Sequence, residues 1–206
     1  MTDVPIVKIL GTAQDGGVPH VGCFCETCVS FHDNAGQLYP TSISITAGED
    51  LHLIDVSREL DRQSRSFGFN PRDITDVWIT HGHLGHVDGL GLFGREVMGL
   101  RGVRLHTSSA MMKMIRSSPR LRYLLDSGVF ISSIFQSNVE IKMEGDFSVL
   151  PVPVPHRDEL SDTHAFLIRG PRRSLFHLPD HDRWELTLGK HKQDSIIDWL
   201  KNLNVD

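Results

Sequence analysis

The chain has 206 residues, 39% of them hydrophobic and 23% charged, the profile of an ordinary globular protein with enough apolar material for one substantial core. A formal charge of −5, spread along the sequence rather than blocked, excludes a nucleic-acid-binding stripe and a membrane-binding patch, and leaves a small molecule as the expected partner. No run reaches the roughly 18 apolar residues of a membrane span, and the opening "MTDVPIVKILGT" lacks the basic head and long apolar centre of a signal peptide.

In chain order, "PIVKILGT" (5 to 12) reads as a first strand running into the turn-rich loop "AQDGGVPHVG". The three cysteines follow, all inside "CFCETC"; an odd, clustered set makes no disulfide framework and suits metal binding in a reducing compartment, so a cytoplasmic location is expected. "TSISITAG" (41 to 48) alternates polar with apolar residues, and "DLHLIDVS" (50 to 57) resumes after a Gly-Glu turn, which together predict an antiparallel hairpin. "SRELDRQSRSFGF" predicts a helix and "DITDVWITH" (73 to 81) a buried strand, and "GLGLFGREVMGL" (89 to 100) a helix weakened by its glycines.

"VRLHTS" reads as a short strand and "SAMMKMIRSSPRLRYLLDSG" as mainly helical. "NVEIKMEGDFSVLPVPVPH" gives one or two strands interrupted by prolines. "THAFLIRG" and "RSLFHLPD" predict a second hairpin across a Gly-Pro-Arg-Arg turn, and "QDSIIDWLKNLN" a last helix. There is no internal repeat and no long linker, so residues 1 to 206 are expected to form one domain, of class α/β or α+β with a mixed sheet.

The chemistry concentrates where the buried strand ends, in "ITHGHLGHVDGL". Side chains two apart on an extended segment face the same way, so His81 and His83 can grip one ion, and a turn or helix start would bring His86 to the neighbouring side. Neutral imidazole is a common zinc ligand, and an open coordination position lets the ion lower the pKa of bound water to about 7.

This stretch resembles the signature H-x-H-x-D-H of the metallo-β-lactamase superfamily, in which the first two histidines serve one metal and the Asp and last histidine a second. His81, His83 and His86 match; Gly85 stands in the Asp position and carries no ligand atom. The resemblance extends to "PVPVPHRDELSDTHAFLI", which supplies the next histidine, His156. It extends also to "LFHLPDHDRW", which supplies a bridging aspartate, Asp180 first and Asp182 second. "LGTAQDGGVPHVGCFCETC" is similar to the opening of the branch containing pyrroloquinoline quinone biosynthesis protein B and a phosphonate-pathway cyclic phosphodiesterase. There Cys23, Cys25 and Cys28 match a C-x-C-x-x-C group holding a structural zinc, because three close thiolates repel unless a cation neutralises them. His32 is the near-sequence candidate for its fourth ligand.

The resemblance implies an αββα sandwich with an incomplete second half, since family members continue past the bridging aspartate to a final histidine while this chain stops at Asp206. It implies a first metal position of His81, His83, His156 and Asp180, and a second reduced to His86 and Asp180, with Asp88 as a spare carboxylate or a helix cap. Zinc is the expected ion, at the cysteines and at one or two positions in the His/Asp site, with manganese and iron as alternatives there. The activity so implied is hydrolysis of a phosphodiester or related ester by metal-activated water, with His86 and Asp180 as the catalytic candidates. Two other readings stand beside it: a role like that of pyrroloquinoline quinone biosynthesis protein B, and a catalytically weak zinc-binding protein that has lost its second site. An uncovered sheet edge would favour a homodimer through that edge or a less stable shortened chain.

Overall fold

The computed structural model describes residues 4–205. Among the described residues, ten strands form two sheets. In the first, β1 (Ile6–Gly11), β2 (Ser42–Ala47) and β3 (Asp50–Ile54) pair antiparallel, and β3, β4 (Ile74–Trp78), β5 (Val103–Thr107) and β6 (Phe130–Ile134) continue parallel. In the second, β7 (Ile141–Met143), β8 (Phe147–Val154), β9 (Thr163–Arg169) and β10 (Ser174–His177) are antiparallel throughout.

The central strands of the first sheet, β2 to β5, are covered on both faces, while β1 and β6 at its margins are largely exposed. Side chains alternate across it. Leu51, Leu53 and Val77 point into a core with Leu60 of α2 (Leu60–Phe67), with Met111, Met112 and Ile115 of α4 (Ser109–Ser117), and with Leu124 of α5 (Pro119–Asp126). Ile43, Ile45, Ile54 and Trp78 point the other way, against Phe147, Val149, Phe166 and Ile168 of the second sheet. The outer face of that sheet, through Val152, Val154 and Ala165, is covered by Trp199 and by partly buried Trp184 and Leu188 from α6 (Trp184–His191) and α7 (Ile196–Asn202). The order is therefore helix, sheet, sheet, helix, the expected αββα sandwich of the α/β class.

Both hairpins and the buried strand before the histidines form as the sequence pattern requires. Pro151 and Pro153, which break the apparent run in β8, lie beyond its pairing with β7, which ends at Ile141↔Val149. That side of β8 has no ladder to interrupt.

Three elements were not legible: α1 (Glu26–Asp33), β6 and α6. The helix expected over 89–100 does not form. The chain instead makes one turn, α3 (Leu84–Val87), then a 3₁₀ segment at Asp88–Phe93 and a turn. A Cβ at Gly89 would overlap the Ser57 carbonyl oxygen, so this glycine is there for close backbone approach rather than helix formation. Pro119 likewise divides the stretch after β5 into α4 and α5. Among the described residues no helix is long and apolar enough to cross a membrane.

Candidate metal centre

β4 delivers its chain, through Ile79 and Thr80, to the end of the first sheet, where the backbone turns sharply. The His86 N–H bonds the His83 carbonyl at 3.0 Å and the Val56 N–H bonds the His86 carbonyl at 2.8 Å, pinning the turn to the end of β3. The turn swings His86 alongside His81, their ring centroids 4.1 Å apart. His81 Nε2 lies 2.9 Å from His83 Nδ1. The second sheet contributes from its own strand ends: His156 follows β8 and Asp180 follows β10. Asp180 Oδ2 sits among the imidazoles, 3.0 Å from His86 Nε2, 3.4 Å from His81 Nε2 and 3.9 Å from His156 Nε2. Donor atoms of His81, His83, His156 and Asp180 all lie within 4.8 Å of one another.

Three of the imidazoles, those of His81, His83 and His86, are held from outside by a hydrogen-bonded oxygen. The Thr80 hydroxyl donates to Asp55 Oδ2 at 2.8 Å, so its oxygen accepts the His81 Nδ1–H at 3.0 Å. That leaves His81 Nε2 as the lone-pair nitrogen facing the pocket. His86 donates from Nδ1 to Asp55 at 2.7 Å and His83 from Nε2 to Glu159 at 3.0 Å, and Asp182 Oδ1 stands 3.3 Å from His156 Nδ1. Asp182, the second choice for the bridging carboxylate, thus lies behind His156 rather than among the donors. The sequence offered no motif for Asp55; its only trace is an acid closing the apolar run "LHLID".

Burial governs the charges. It drives His81 down to about 3, with His86 adding to the effect, so His81 is neutral as a ligand must be. Burial also opposes charge on His86, yet Asp55, Asp15 and Asp180 around it carry its pKa well above the ordinary value. Asp180 is raised by burial but held at about 2 by the close approach and charge of His86.

A residue the motif does not contain enters here. Asp15, in the loop after β1, places Oδ1 3.3 Å from His86 Nε2, and Asp15, His86 and Asp180 form a second group of donors within 4.8 Å. Asp88 is elsewhere, its Oδ2 3.2 Å from Arg58. Buried His86 Nε2 and His156 Nε2 have no hydrogen-bond partner among the described residues. Three imidazoles and a carboxylate with such nitrogens aimed at one point fit a zinc-like cation.

Residues 47–205 match the family model described as "Beta-lactamase superfamily domain". The chain belongs to that superfamily. Solved structures agree on the fold. Zn(2+)-bound PqqB from Methylobacterium extorquens aligns over 87% of this chain and 67% of its own, at 20% identity and a TM-score of 0.72. A diphosphatase of the PhnP family aligns over 80% and 61%, at 22% identity and a TM-score of 0.61. A curated relative, an octanoyltransferase of Porphyromonas gingivalis, is 27% identical over 146 residues, 71% of this chain; the chain spans only 29% of that protein's length.

This beta-lactamase superfamily chain carries a second donor group away from the histidines. The thiols of Cys23, Cys25 and Cys28 lie within 4.8 Å of one another, with Cys25 capping α1 and the His20 N–H donating to Cys28 Sγ at 3.4 Å. The Cys28 backbone N–H pulls the Cys25 thiol below its ordinary pKa, which favours the thiolate. His32 is not in this group. Its Nδ1 lies 3.5 Å from Asp33 Oδ1 on an exposed face, although it lines the same cleft as Cys23 and Cys28. A separate cleft of about 410 Å³, lined by Thr12, Asp15, Thr41, Phe176 and His177, opens onto Asp180.

Proposed function

We propose that this chain is a metal-dependent hydrolase acting on a phosphodiester or a related ester. The observation that carries the reading is the convergence of His81, His83, His156 and Asp180 on one point, with the outward nitrogens of His81 and His83 tied down by hydrogen bonds. A zinc ion in such a set supplies Lewis-acid polarisation and acidifies water. The residues do the rest. Asp55, Thr80 and Glu159 fix the imidazole tautomers, and Asp180 turns a carboxylate oxygen toward the attacking water. With a pKa of about 2, Asp180 stays a carboxylate and would orient that water as a hydrogen-bond acceptor. Exposed Arg157, whose guanidinium reaches 3.3 Å from His83 Nδ1, stands at the mouth as a partner for an anionic substrate. Superfamily membership supports hydrolysis, and a fold neighbour is the PhnP-family diphosphatase.

The test is turnover of bis(p-nitrophenyl) phosphate by protein of measured metal content. Activity is expected to vanish with chelator and return with zinc, and His81→Ala is expected to lose metal and at least about a hundredfold in kcat. Turnover indifferent to chelator, or metal content untouched by His81→Ala, defeats the reading.

A further inference from the structure

The motif carries glycine where the superfamily resemblance calls for a carboxylate ligand of a second cation. We propose that Asp15, from the loop after β1, supplies that carboxylate, so that Asp15, His86 and Asp180 form the second cation position. The inference rests on the hydrolase reading only in taking the adjacent His81 group to hold a metal.

Geometry points to a substitution in space. A Cβ at residue 85 would overlap the Asp15 carboxyl carbon and stand 2.5 Å from Oδ1. Asp15 therefore fills the volume into which any side chain at residue 85 would project, and the two carboxylates exclude each other. A glycine at 85 is what lets Asp15 in.

His86 Nε2 is fully buried, without a hydrogen-bond partner among the described residues, and faces Asp15 Oδ1 and Asp180 Oδ2 at 3.3 and 3.0 Å. Its other nitrogen is committed to Asp55, so Nε2 is the one that can give up its proton and offer a lone pair to a cation.

Nor is Asp15 carried on a loose loop. The Ala13 N–H bonds Tyr39 O and the Thr41 N–H bonds Ala13 O, both at 3.0 Å, fastening the residues before it beside Pro40. The Gln14 side chain accepts the Gly16 N–H at 3.1 Å and the Gly17 N–H closes on Gln14 O at 2.8 Å, shaping the turn around Asp15 itself. One imidazole and two carboxylates make a harder, more oxygen-rich set than the three imidazoles next door, so this position should bind more weakly and accept manganese more readily.

Metal titration by calorimetry, with metal counted after dialysis, tests the assignment on the full chain without reference to turnover. The wild type is expected to take two cations at the His/Asp centre, beyond any held by the cysteines. Asp15→Asn, which keeps the shape and removes the charge, should weaken the second by more than about tenfold and leave the first unchanged. Gly85→Asp alone should not add a metal, because the space is taken. Asp15→Gly with Gly85→Asp should recover the second cation, returning the carboxylate to the motif. A second cation that survives Asp15→Asn at wild-type affinity overturns the proposal, as does a wild type that takes one cation at this centre while His81→Ala abolishes it. The last result would leave a one-metal hydrolase standing. Metal content that His81→Ala does not change would instead strike the underlying reading.

Discussion

Asp55 is fully buried and accepts three hydrogen bonds: 2.9 Å from the Thr80 N–H, 2.8 Å from the Thr80 hydroxyl and 2.7 Å from His86 Nδ1. All three need a carboxylate, since an amide offers one accepting oxygen and turns an N–H₂ toward a donor. Asp55→Asn is therefore expected to cost about 1–3 kcal/mol in urea unfolding, because a buried donor loses its partner. It should also weaken metal at the His/Asp centre by about 10–100-fold, because His86 and His81 lose the contacts that fix their tautomers. Wild-type values for both would show that His86 is oriented by something else. The contrast with the histidines is instructive. His81, His83 and His86 were legible because one strand and one turn bring them together, so their spacing encodes their geometry. Asp55 and Asp15 reach the same place from other strand ends, and nothing in their neighbours along the chain marks them. Read alone, Gly85 signifies a lost ligand; only the fold shows what stands in its space.

At the scale of elements, β3, β4 and β5 are tied across their backs by charge as well as by ladder bonds. Asp76 of β4, buried completely, accepts two bonds from Arg104 and one from His106 of β5, each at 2.6 Å. His106 in turn stacks on Trp78 at 3.8 Å between ring centroids. Burial by itself would raise the Asp76 pKa, but the hydrogen bonds from His106 and Arg104 hold it well below the usual carboxylate range. A carboxylate depressed on folding contributes stability that is fully present above its unfolded pKa of about 3.9 and fades as pH falls from there. Asp76→Asn is thus expected to lower stability at pH 7 by about 1–3 kcal/mol and to flatten the decline between about pH 4 and 2. Urea titrations across pH measure both, and an unchanged acid slope would remove Asp76 from the account. The elements that escaped the sequence share a physical cause: they bury little. In β6 only Phe130 is buried while Ile131 and Ile134 are exposed at the sheet margin, α1 buries Cys28 alone, and α6 buries Thr187 alone. Hydrophobic periodicity reports burial, and where burial is slight the period is lost. The central strands, whose Ile43, Ile45, Leu51, Leu53, Ile74 and Val77 are buried, were plain.

For the whole molecule, the donors divide between the two sheets. His81, His83, His86 and Asp15 hang from the ends of β4 and β1 in the first; His156 and Asp180 hang from β8 and β10 in the second. The sheets are otherwise joined by the apolar seam of Ile43, Ile45, Ile54 and Trp78 against Phe147, Val149, Phe166 and Ile168, and by hydrogen bonds such as those from the His164 N–H to the Thr80 carbonyl and from the Gly82 N–H to the Ser161 hydroxyl. A cation in this centre is thus a staple across the sandwich, binding the folded arrangement and not the separated strands. At a free zinc concentration 100 times its Kd it adds about 2.7 kcal/mol to stability. For a chain of this size each kcal/mol is worth about 2–4 °C, so saturating zinc should raise Tm by roughly 5–10 °C over chelated protein in scanning calorimetry. His156→Ala removes a donor from the second sheet and leaves the cysteine group intact, so it isolates the staple from any structural zinc. That variant should lose most of the zinc-dependent rise, whereas Cys25→Ser should keep it. A rise that survives His156→Ala but disappears with Cys25→Ser would place the stabilising ion at the cysteines and leave the two sheets held by their apolar seam and hydrogen bonds without a metal staple.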